Sequence, residues 1–282
     1  MKQLIEDLKN VLANMYESYT VENIYRFIVY TFLYASITKR GLSTDIIRPL
    51  RQKLPSPLIG KAENELRDLT TQLLDEIEGT LNSNKAVLME EANLNEILNK
   101  LKYKIGKIDA VIIYDCMSLI EQTLITSYLE NNNIKSMFLD LYFINPIGKT
   151  SFVTQQLDSS GYRKTLIEVA RYMARELRAK YLEKHSQIDQ IVHKVGHIGL
   201  DAFLASISEL VNVILKETLS IFSKKNIASE ILRVLILSDH GYDIVVNPLR
   251  KYTYVVHGYV SSKEDLVIIP FSKLTFFIMS IK

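Results

Sequence analysis

The sequence predicts an α/β fold with a mainly parallel sheet, helices on both faces, and a helical region ahead of it. Residues 108–115 and 233–238 are short apolar runs rich in β-branched residues, and both lead into polar residues, a pattern typical of buried strands. Helical patterns of apolar residues occupy 162–178 and 201–222. Strands that alternate with helices favour a parallel sheet covered on both faces.

Further segments fit the same architecture. Residues 134–144 and 179–183 have the composition of strands, while residues 252–257 and 274–281 predict a hairpin-like segment and a terminal strand. We expect the last strands to add an antiparallel edge to the sheet. The histidine-rich segment 185–197 has no regular pattern, so we expect it to be irregular.

Residues 1–104 predict a separate helical region, and residues 105–282 the α/β domain. Apolar side chains recur at helical spacing through much of the first part, for example from Leu66 to Ile77. A Pro-Ser-Pro sequence at 55–57 interrupts these helices because proline cannot continue one. The region contains no cluster of chemically reactive side chains, which favours a packing or partner-binding module.

Composition excludes several classes of protein. The 282 residues are 48% hydrophobic and 23% charged, with a net charge of +2, so the overall charge gives no case for nucleic-acid binding. The single cysteine, Cys116, excludes an internal disulfide and leaves Asp, Glu and His as the ligands for any metal. Acids at the start and the lack of an apolar run of about 20 residues predict a cytoplasmic protein without a membrane segment.

The sequence Ser-Asp-His-Gly at 238–241 is the strongest chemical feature of the chain. It places Asp239 and His240 directly after a predicted buried strand, where open α/β sheets bind their ligands. Gly241 is expected to let the chain turn away at once. A polar turn after a core strand would look similar, so the function depends on whether the chain supplies partners for these two side chains.

Four further side chains of the same chemical types are candidate partners. Asp115 closes the first predicted strand, Asp189 and His193 are four residues apart, and His257 follows near the C-terminal end. Carboxylates and imidazoles suit a divalent cation where thiolates are absent. Six such groups are too many for one tetrahedral ion, and they suit two ions about 3.5–4 Å apart that share a bound oxyanion.

The ordered set of residues resembles the alkaline phosphatase superfamily. The order is an acid, a hydroxyl, Asp-x-x-x-His, Asp-His and a late histidine, here carried by Asp115, Thr150 or Ser151, Asp189 with His193, Ser238-Asp239-His240-Gly241, and His257. The sequence Leu-Ile-Leu-Ser-Asp-His-Gly-Tyr at 235–242 most resembles the PglZ domain. The resemblance covers roughly residues 108–260, and residues 1–104 lie outside it.

The resemblance implies a two-metal phosphohydrolase. One ion, with the nucleophile, would be held by Asp115, Asp239 and His240, and the other by Asp189, His193 and His257. Zinc is the expected metal, with manganese as the alternative. The implied activity is that of a phosphodiesterase acting on nucleotide or oligonucleotide phosphate esters. The alternative is a non-catalytic signalling or phage-defence binding module that retains the metal pocket and uses the helical region to contact a protein partner.

The resemblance leaves the nucleophile open between Thr150 and Ser151, with a preference for Thr150 because the family often uses threonine there. Two histidines also remain open. His185 precedes Asp189 by four residues and His197 follows His193 by four, so each is either a ligand or a structural histidine. Cys116 is expected to pack as a small hydrophobic residue.

A last feature is a basic face on the helix predicted at 162–178. Arg171, Arg175 and Arg178 are spaced to share one side of that helix and could contact a nucleic-acid backbone. Glu168 and Glu176 are interleaved with them, which favours a solvated face with ion pairs instead.

Overall fold

The computed structural model describes residues 94–145, 147–156, 165–224, 232–247, 249–250, 252–258 and 265–282, over which we number the helices and strands. The helices are α1 (Leu94–Ile105), α2 (Leu119–Asn131), α3 (Thr150–Gln155), α4 (Leu166–Glu176), α5 (Gln187–Val195) and α6 (Leu200–Ile221). The strands are β1 (Ala110–Tyr114), β2 (Lys135–Ile144), β3 (Tyr181–His185), β4 (Arg233–Ser238), β5 (Asp243–Asn247), β6 (Tyr252–Val256), β7 (Leu266–Pro270) and β8 (Leu274–Ile281).

The α/β class is confirmed, but the prediction of a mainly parallel sheet is wrong. The larger sheet has five strands in the order β2-β8-β4-β1-β3. Strand β1 is parallel to β3 and β4, whereas β8 is antiparallel to both β2 and β4. The sheet is therefore mixed, because the last strand is inserted between β2 and β4 instead of extending an edge.

Strand β8 is buried on both faces, which accounts for its interior position. Phe276 and Ile278 point into one hydrophobic core, and Phe277 and Met279 into the other. A strand that is apolar on both sides loses its contact with water only where helices cover both faces of the sheet. An edge position would have left part of this apolar surface in water.

A second, three-stranded sheet contains β5, β6 and β7. The order is β6-β5-β7, and both pairings are antiparallel. The hairpin-like segment predicted at 252–257 is confirmed as β6, whereas β5 and β7 were not predicted. Strand β5 begins shortly after β4 ends, so the second sheet starts beyond the C-terminal end of β4.

Helices cover both faces of the larger sheet, as predicted. Residues of β1 alternate between the two cores: Ile112 and Tyr114 pack with α2, α5 and α6, while Val111 and Ile113 pack with α1 and α4. Each fully buried aliphatic side chain contributes about 1.5–3 kcal/mol, so these two layers supply most of the stability of the fold. Polar residues follow the C-terminal ends of β1 and β4.

The helix α1 packs against the α/β domain. Ile97, Leu98 and Leu101 belong to the same buried core as Val111 and Ile113, so this core extends back beyond the boundary predicted at residue 105. Residues 1–93 lie outside the described part of the chain, and the helical region predicted there stays a prediction. Within the described residues, none of the helices has both the length and the apolar character needed to cross a bilayer.

The segment predicted to be irregular at 185–197 forms helix α5. Ile188 and Val192 are one turn apart and both are buried in the core, and Ile191 is partly buried against the same core. Ile188, Ile191, Val192 and Val195 have the spacing of one helix face, so the sequence contains the helical pattern and the prediction overlooked it. The helical geometry matters below, because it places Asp189 and His193 on one side.

Glu121 is a carboxyl group that is fully buried near the start of α2. Its Oε2 atom accepts a hydrogen bond of 2.8 Å from the backbone N–H of Ser118, the residue that caps α2. The hydroxyl of Tyr242 donates to its Oε1 atom at 2.6 Å. Burial raises the pKa of Glu121 to about 8. The group therefore stays protonated in the folded protein over a range in which it ionises in the unfolded chain.

We expect the stability of the protein to fall as the pH rises towards about 8, and the variant Glu121→Gln to lack this component. The pKa of Glu121 in the folded protein lies above the ordinary value of 4.5. Between these two values the unfolded chain releases the proton and the folded protein keeps it, so rising pH lowers the free energy of unfolding. One such group changes the free energy of unfolding by about 1.4 kcal/mol per pH unit. Urea unfolding of both proteins from about pH 5 to about pH 7.5 measures the difference. Equal slopes for the two proteins would contradict it.

Candidate metal centre

The centre lies at the C-terminal end of the parallel strands β1 and β4. The register pairs Tyr114 with Ser238, the last residues of the two strands. The residue that follows each strand is an aspartate, so Asp115 and Asp239 lie side by side. Two carboxylates are thus brought together by strand register alone, at the edge where such sheets bind ligands.

Asp115, Asp239 and His240 form the first set of candidate ligands, here called the Asp115 group. The Nε2 atom of His240 lies 3.7 Å from Oδ1 of Asp115 and 3.6 Å from Oδ2 of Asp239. The Nδ1 atom of His240 lies 2.9 Å from the carbonyl oxygen of Gly241. A carbonyl oxygen only accepts, so Nδ1 donates, and the lone pair of Nε2 is directed at the two carboxylates.

One carboxylate of this group, that of Asp239, has an oxygen without a hydrogen-bond partner. Asp239 accepts a hydrogen bond from the backbone N–H of Cys116 at 3.3 Å, but its other oxygen, Oδ2, is buried and has no hydrogen-bond partner. Burial raises the pKa of Asp115, and the charges of Asp239 and Asp189 raise it further. Lys184 supplies one compensating charge, with its ammonium 3.2 Å from Oδ2 of Asp115. A buried, unpaired carboxylate beside another is unfavourable unless a cation binds there.

Asp189, His193 and His257 form the second set, the Asp189 group. Oδ1 of Asp189 lies 3.3 Å from Nε2 of His193 and 3.2 Å from Nε2 of His257, and these two nitrogens are 3.1 Å apart. His257 donates through Nδ1 to the carbonyl oxygen of Gly148 at 3.1 Å, which directs Nε2 inward. Tetrahedral zinc with bonds of about 2.0–2.1 Å separates its ligands by about 3.3 Å, close to this spacing.

Protons compete for the Asp189 group. Burial alone would raise the pKa of Asp189, but the hydrogen bond from His257 and the charge of His193 lower it overall. Burial alone would lower the pKa of His257, but its hydrogen bonds to Asp189 and Gly148 raise it overall. Binding of a divalent cation here would therefore displace a proton.

The two groups are adjacent. The ring centroids of His240 and His257 are 4.6 Å apart, and ligand atoms of Asp189 and His240 lie within 4.8 Å of each other and of the Cys116 sulfur. Burial raises the pKa of the Cys116 thiol well above its usual value, and the thiol donates to the carbonyl oxygen of Gly241 at 3.4 Å. Cys116 thus packs as a neutral thiol in the hydrophobic core, as expected.

Helix α5 and strand β6 bring the Asp189 group together. Asp189 lies in the first turn of α5 and His193 one turn later. The carbonyl oxygen of Gly196, just after α5, accepts a hydrogen bond of 3.0 Å from the backbone N–H of Val255 in β6. A Cβ atom on Gly196 would lie 2.5 Å from the carbonyl oxygen of Val255, so only glycine permits this approach. The close contact places His193 against His257.

Gly241 also permits a close approach between backbone segments, in addition to its expected role where the chain leaves β4. A Cβ atom at this position would lie 2.5 Å from the carbonyl oxygen of Phe271 and 3.0 Å from the Cα of Ser118. The backbone of the Ser-Asp-His-Gly loop is therefore packed directly against two other segments. This contact holds Asp239 and His240 in place.

Thr150 is the hydroxyl that reaches the centre. It is the first residue of α3, and its hydroxyl donates to Oδ1 of Asp115 at 3.3 Å and lies 3.4 Å from Nε2 of His240. The side chain of Ser151 is exposed. Of the two hydroxyls left open by the sequence, the structure brings Thr150 to the Asp115 group.

Asn145 is a positioning residue that the sequence did not reveal. It is fully buried, and its amide group donates to the carbonyl oxygens of Lys149 at 2.8 Å and Asp239 at 3.0 Å. Its own side-chain oxygen accepts from the backbone N–H of Lys149 at 3.3 Å. These bonds tie the residue before Thr150 to the end of β4. The only signal in the sequence is an asparagine at the end of a strand, before a proline.

The two open histidines lie outside both groups. His185 is buried, stacks on the ring of Tyr114 at 4.7 Å, and has its nitrogens 3.8 Å from Glu183 and from Glu217. The side chain of His197 is exposed. Among the described residues, neither histidine belongs to a set whose atoms are close enough to share an ion.

We expect Asn145→Ala to destabilise the protein by about 1–3 kcal/mol, because it removes three hydrogen bonds between a buried amide group and the backbone of Lys149 and Asp239. The control is Asn212→Ala, which removes one hydrogen bond of 3.1 Å to the carbonyl oxygen of Ser208 within α6 and should cost less than about 0.5 kcal/mol. Urea unfolding of both variants measures the free energies. Similar losses for the two variants would show that Asn145 does not hold the loop.

Comparison with known proteins does not assign a function, so the proposal depends on the arrangement of the candidate ligands. No family model matches the chain, and a search of curated proteins finds no match either. The resemblance to the alkaline phosphatase superfamily is thus a hypothesis that depends on the ordered residues alone.

Proposed function

We propose that this chain is a metal-dependent phosphoric ester hydrolase with Thr150 as its nucleophile. The observation that supports this most directly is the position of the Thr150 hydroxyl, 3.3 Å from Asp115 and 3.4 Å from His240, beside two adjacent sets of metal-type ligands. A hydroxyl in this position matches nucleophilic catalysis on a phosphorus centre. The substrate class we propose is a phosphodiester of a nucleotide or oligonucleotide.

The residues present fit two divalent cations. Asp115, Asp239 and His240 would hold one, since Oδ2 of Asp239 is buried without a partner and the lone pair of His240 is directed at it. Asp189, His193 and His257 would hold the other. Aspartate and imidazole ligands suit zinc, with manganese as the alternative. When bound, the cations would ionise the nucleophile more readily and stabilise the charge that develops on the phosphoryl oxygens.

Electrostatics supports a need for metal. Asp115, Asp189 and Asp239 converge on the place where an anionic phosphate would have to lie, and like charges repel it. Lys184 offsets one of these charges through its contact with Asp115. We therefore expect the metal-free protein to bind phosphate esters poorly at this centre.

The proposed reaction has two steps, in which Thr150 is first phosphorylated and then released by water. The Thr150 oxygen would attack phosphorus, and the bond from phosphorus to the leaving oxygen would break, which leaves a phosphorylated threonine. In the structure the Thr150 hydroxyl donates a hydrogen bond to Asp115, and this carboxylate would take the proton as the bond to phosphorus forms, while the leaving oxygen would take a proton from water. Water would then cleave the bond between phosphorus and the threonine oxygen and restore the hydroxyl. Asn145 would hold Thr150 in position throughout, through its bonds to Lys149.

The metal content tests the first part of this proposal. We expect purified protein dialysed against zinc or manganese to retain about two ions per chain, and Asp239→Asn to retain about one, because one group loses a ligand. Glu209→Gln, an exposed residue of α6, is the control and should keep about two. Elemental analysis measures the content. Less than one ion per chain in the unaltered protein would refute the metal centre.

Hydrolysis of bis-p-nitrophenyl phosphate tests the second part. With zinc or manganese added, we expect Thr150→Ala to lose at least about 100-fold in kcat, while Ser151→Ala stays within about twofold. A chelator should abolish the activity of the unaltered protein. Full activity in Thr150→Ala would show that another group attacks the substrate. Two bound ions without turnover would favour the non-catalytic binding module.

A further inference from the structure

A basic cleft of about 630 Å³ lies at the other end of the larger sheet. It is formed where helix α1 ends and where helix α4 ends, and its lining includes Gly106, Lys107 and Arg178. Lys107 precedes β1 and Arg178 precedes β3 in the chain, whereas Asp115 follows β1. The cleft and the candidate metal centre are therefore at opposite ends of the same strands.

The cleft has an excess of positive charge. It is lined by four cationic side chains, those of Lys102, Lys107, Arg175 and Arg178, and by one carboxylate, that of Glu176. The carboxylate lies 2.7 Å from the ammonium of Lys102 and 3.7 Å from Nε of Arg175, so it neutralises one charge and leaves an excess of three. The arginines predicted to share this helix face are exposed, and Arg175 forms an ion pair with Glu176, as expected; the excess charge arises because Lys102 and Lys107 line the same cleft.

The helix dipoles account for the positive charge at two of these four positions but not at the other two. Lys102 and Arg175 lie in the last turns of α1 and α4, where the helix dipole favours a positive charge. Lys107 and Arg178 lie beyond those helices, so the dipole gives no comparable reason for their charge. Arg175 is further oriented by the ring of Tyr172, which lies 5.2 Å below its guanidinium.

Arg178 occupies a backbone conformation that disfavours arginine. Its φ is 57°, and the backbone N–H of Ala179 donates to the carbonyl oxygen of Ala174 at 2.8 Å, which closes the end of α4. Helices that end in this way usually have glycine or asparagine at that position. Helix α2 follows the rule, with Asn133 at a φ of 62°. An arginine here weakens the fold and gains a guanidinium directed at the cleft.

From these observations we propose that the cleft binds a small anion with two or more linked phosphates, such as an inorganic triphosphate or the phosphate chain of a nucleotide. The volume is that of a small-ligand site, and a concave cleft favours a compact anion over an extended nucleic-acid strand. Arginine pairs with phosphate through two parallel N–H donors, which matches the placement of Arg175 and Arg178. This site is independent of the function proposed for the metal centre.

Isothermal titration of the metal-stripped full chain with inorganic triphosphate tests the proposal. We expect one saturable site per chain whose affinity falls as salt is added. Arg178→Gly should weaken binding by at least about tenfold and, at the same time, raise the midpoint of thermal unfolding, because glycine relieves the backbone strain. Lys107→Gln should weaken binding without the gain in stability.

Asn133→Gly is the matched control, because it places glycine at the equivalent left-handed position after a different helix. It should leave triphosphate binding unchanged. A parallel titration with ATP identifies the source of the phosphates: equal affinity indicates that the phosphates alone are recognised, and tighter binding indicates a nucleotide. Absence of saturable binding, or equal binding by Arg178→Gly and the unaltered protein, would overturn the proposal.

Discussion

The constraint on which the rest of this structure depends is the crowding of carboxylates beyond the ends of β1 and β4. Burial and the neighbouring charges of Asp239 and Asp189 raise the pKa of Asp115, and one oxygen of Asp239 is buried without a partner. Such a cluster is unfavourable by itself and becomes favourable when cations bind to it. Two of the three candidate imidazole ligands, His240 and His257, are oriented by backbone carbonyls, which directs their Nε2 atoms towards the cluster.

The fold assembles this cluster through close backbone contacts. Strand register places Asp115 beside Asp239, and the approach of Gly196 to Val255 brings α5 against β6. Asn145 links the loop before Thr150 to the end of β4. Each contact joins segments far apart in the chain, so a change at any of them would displace a ligand without removing it. The metal chemistry proposed for this protein therefore depends on positions that carry no metal ligand.

The two ends of the parallel strands have opposite electrostatic character. Carboxylates collect at one end, and a cleft with an excess of positive charge lies at the other. Strand β1 is five residues long, so about 17 Å of hydrophobic core separates them. The two sites share no residue. An anionic ligand in the basic cleft would therefore not compete with a substrate at the metal centre.

Local sequence determined the parts of this protein. The apolar runs predicted β1 and β4, and the residue types of the six candidate ligands indicated metal chemistry. Tertiary structure alone decided how the parts are arranged. It inserted β8 between β2 and β4 because both faces of that strand are apolar, and it gave Asn145 a partner 94 residues away. It also selected Thr150 over Ser151, because neighbouring residues of a helix point about 100° apart and packing decides which one faces the site.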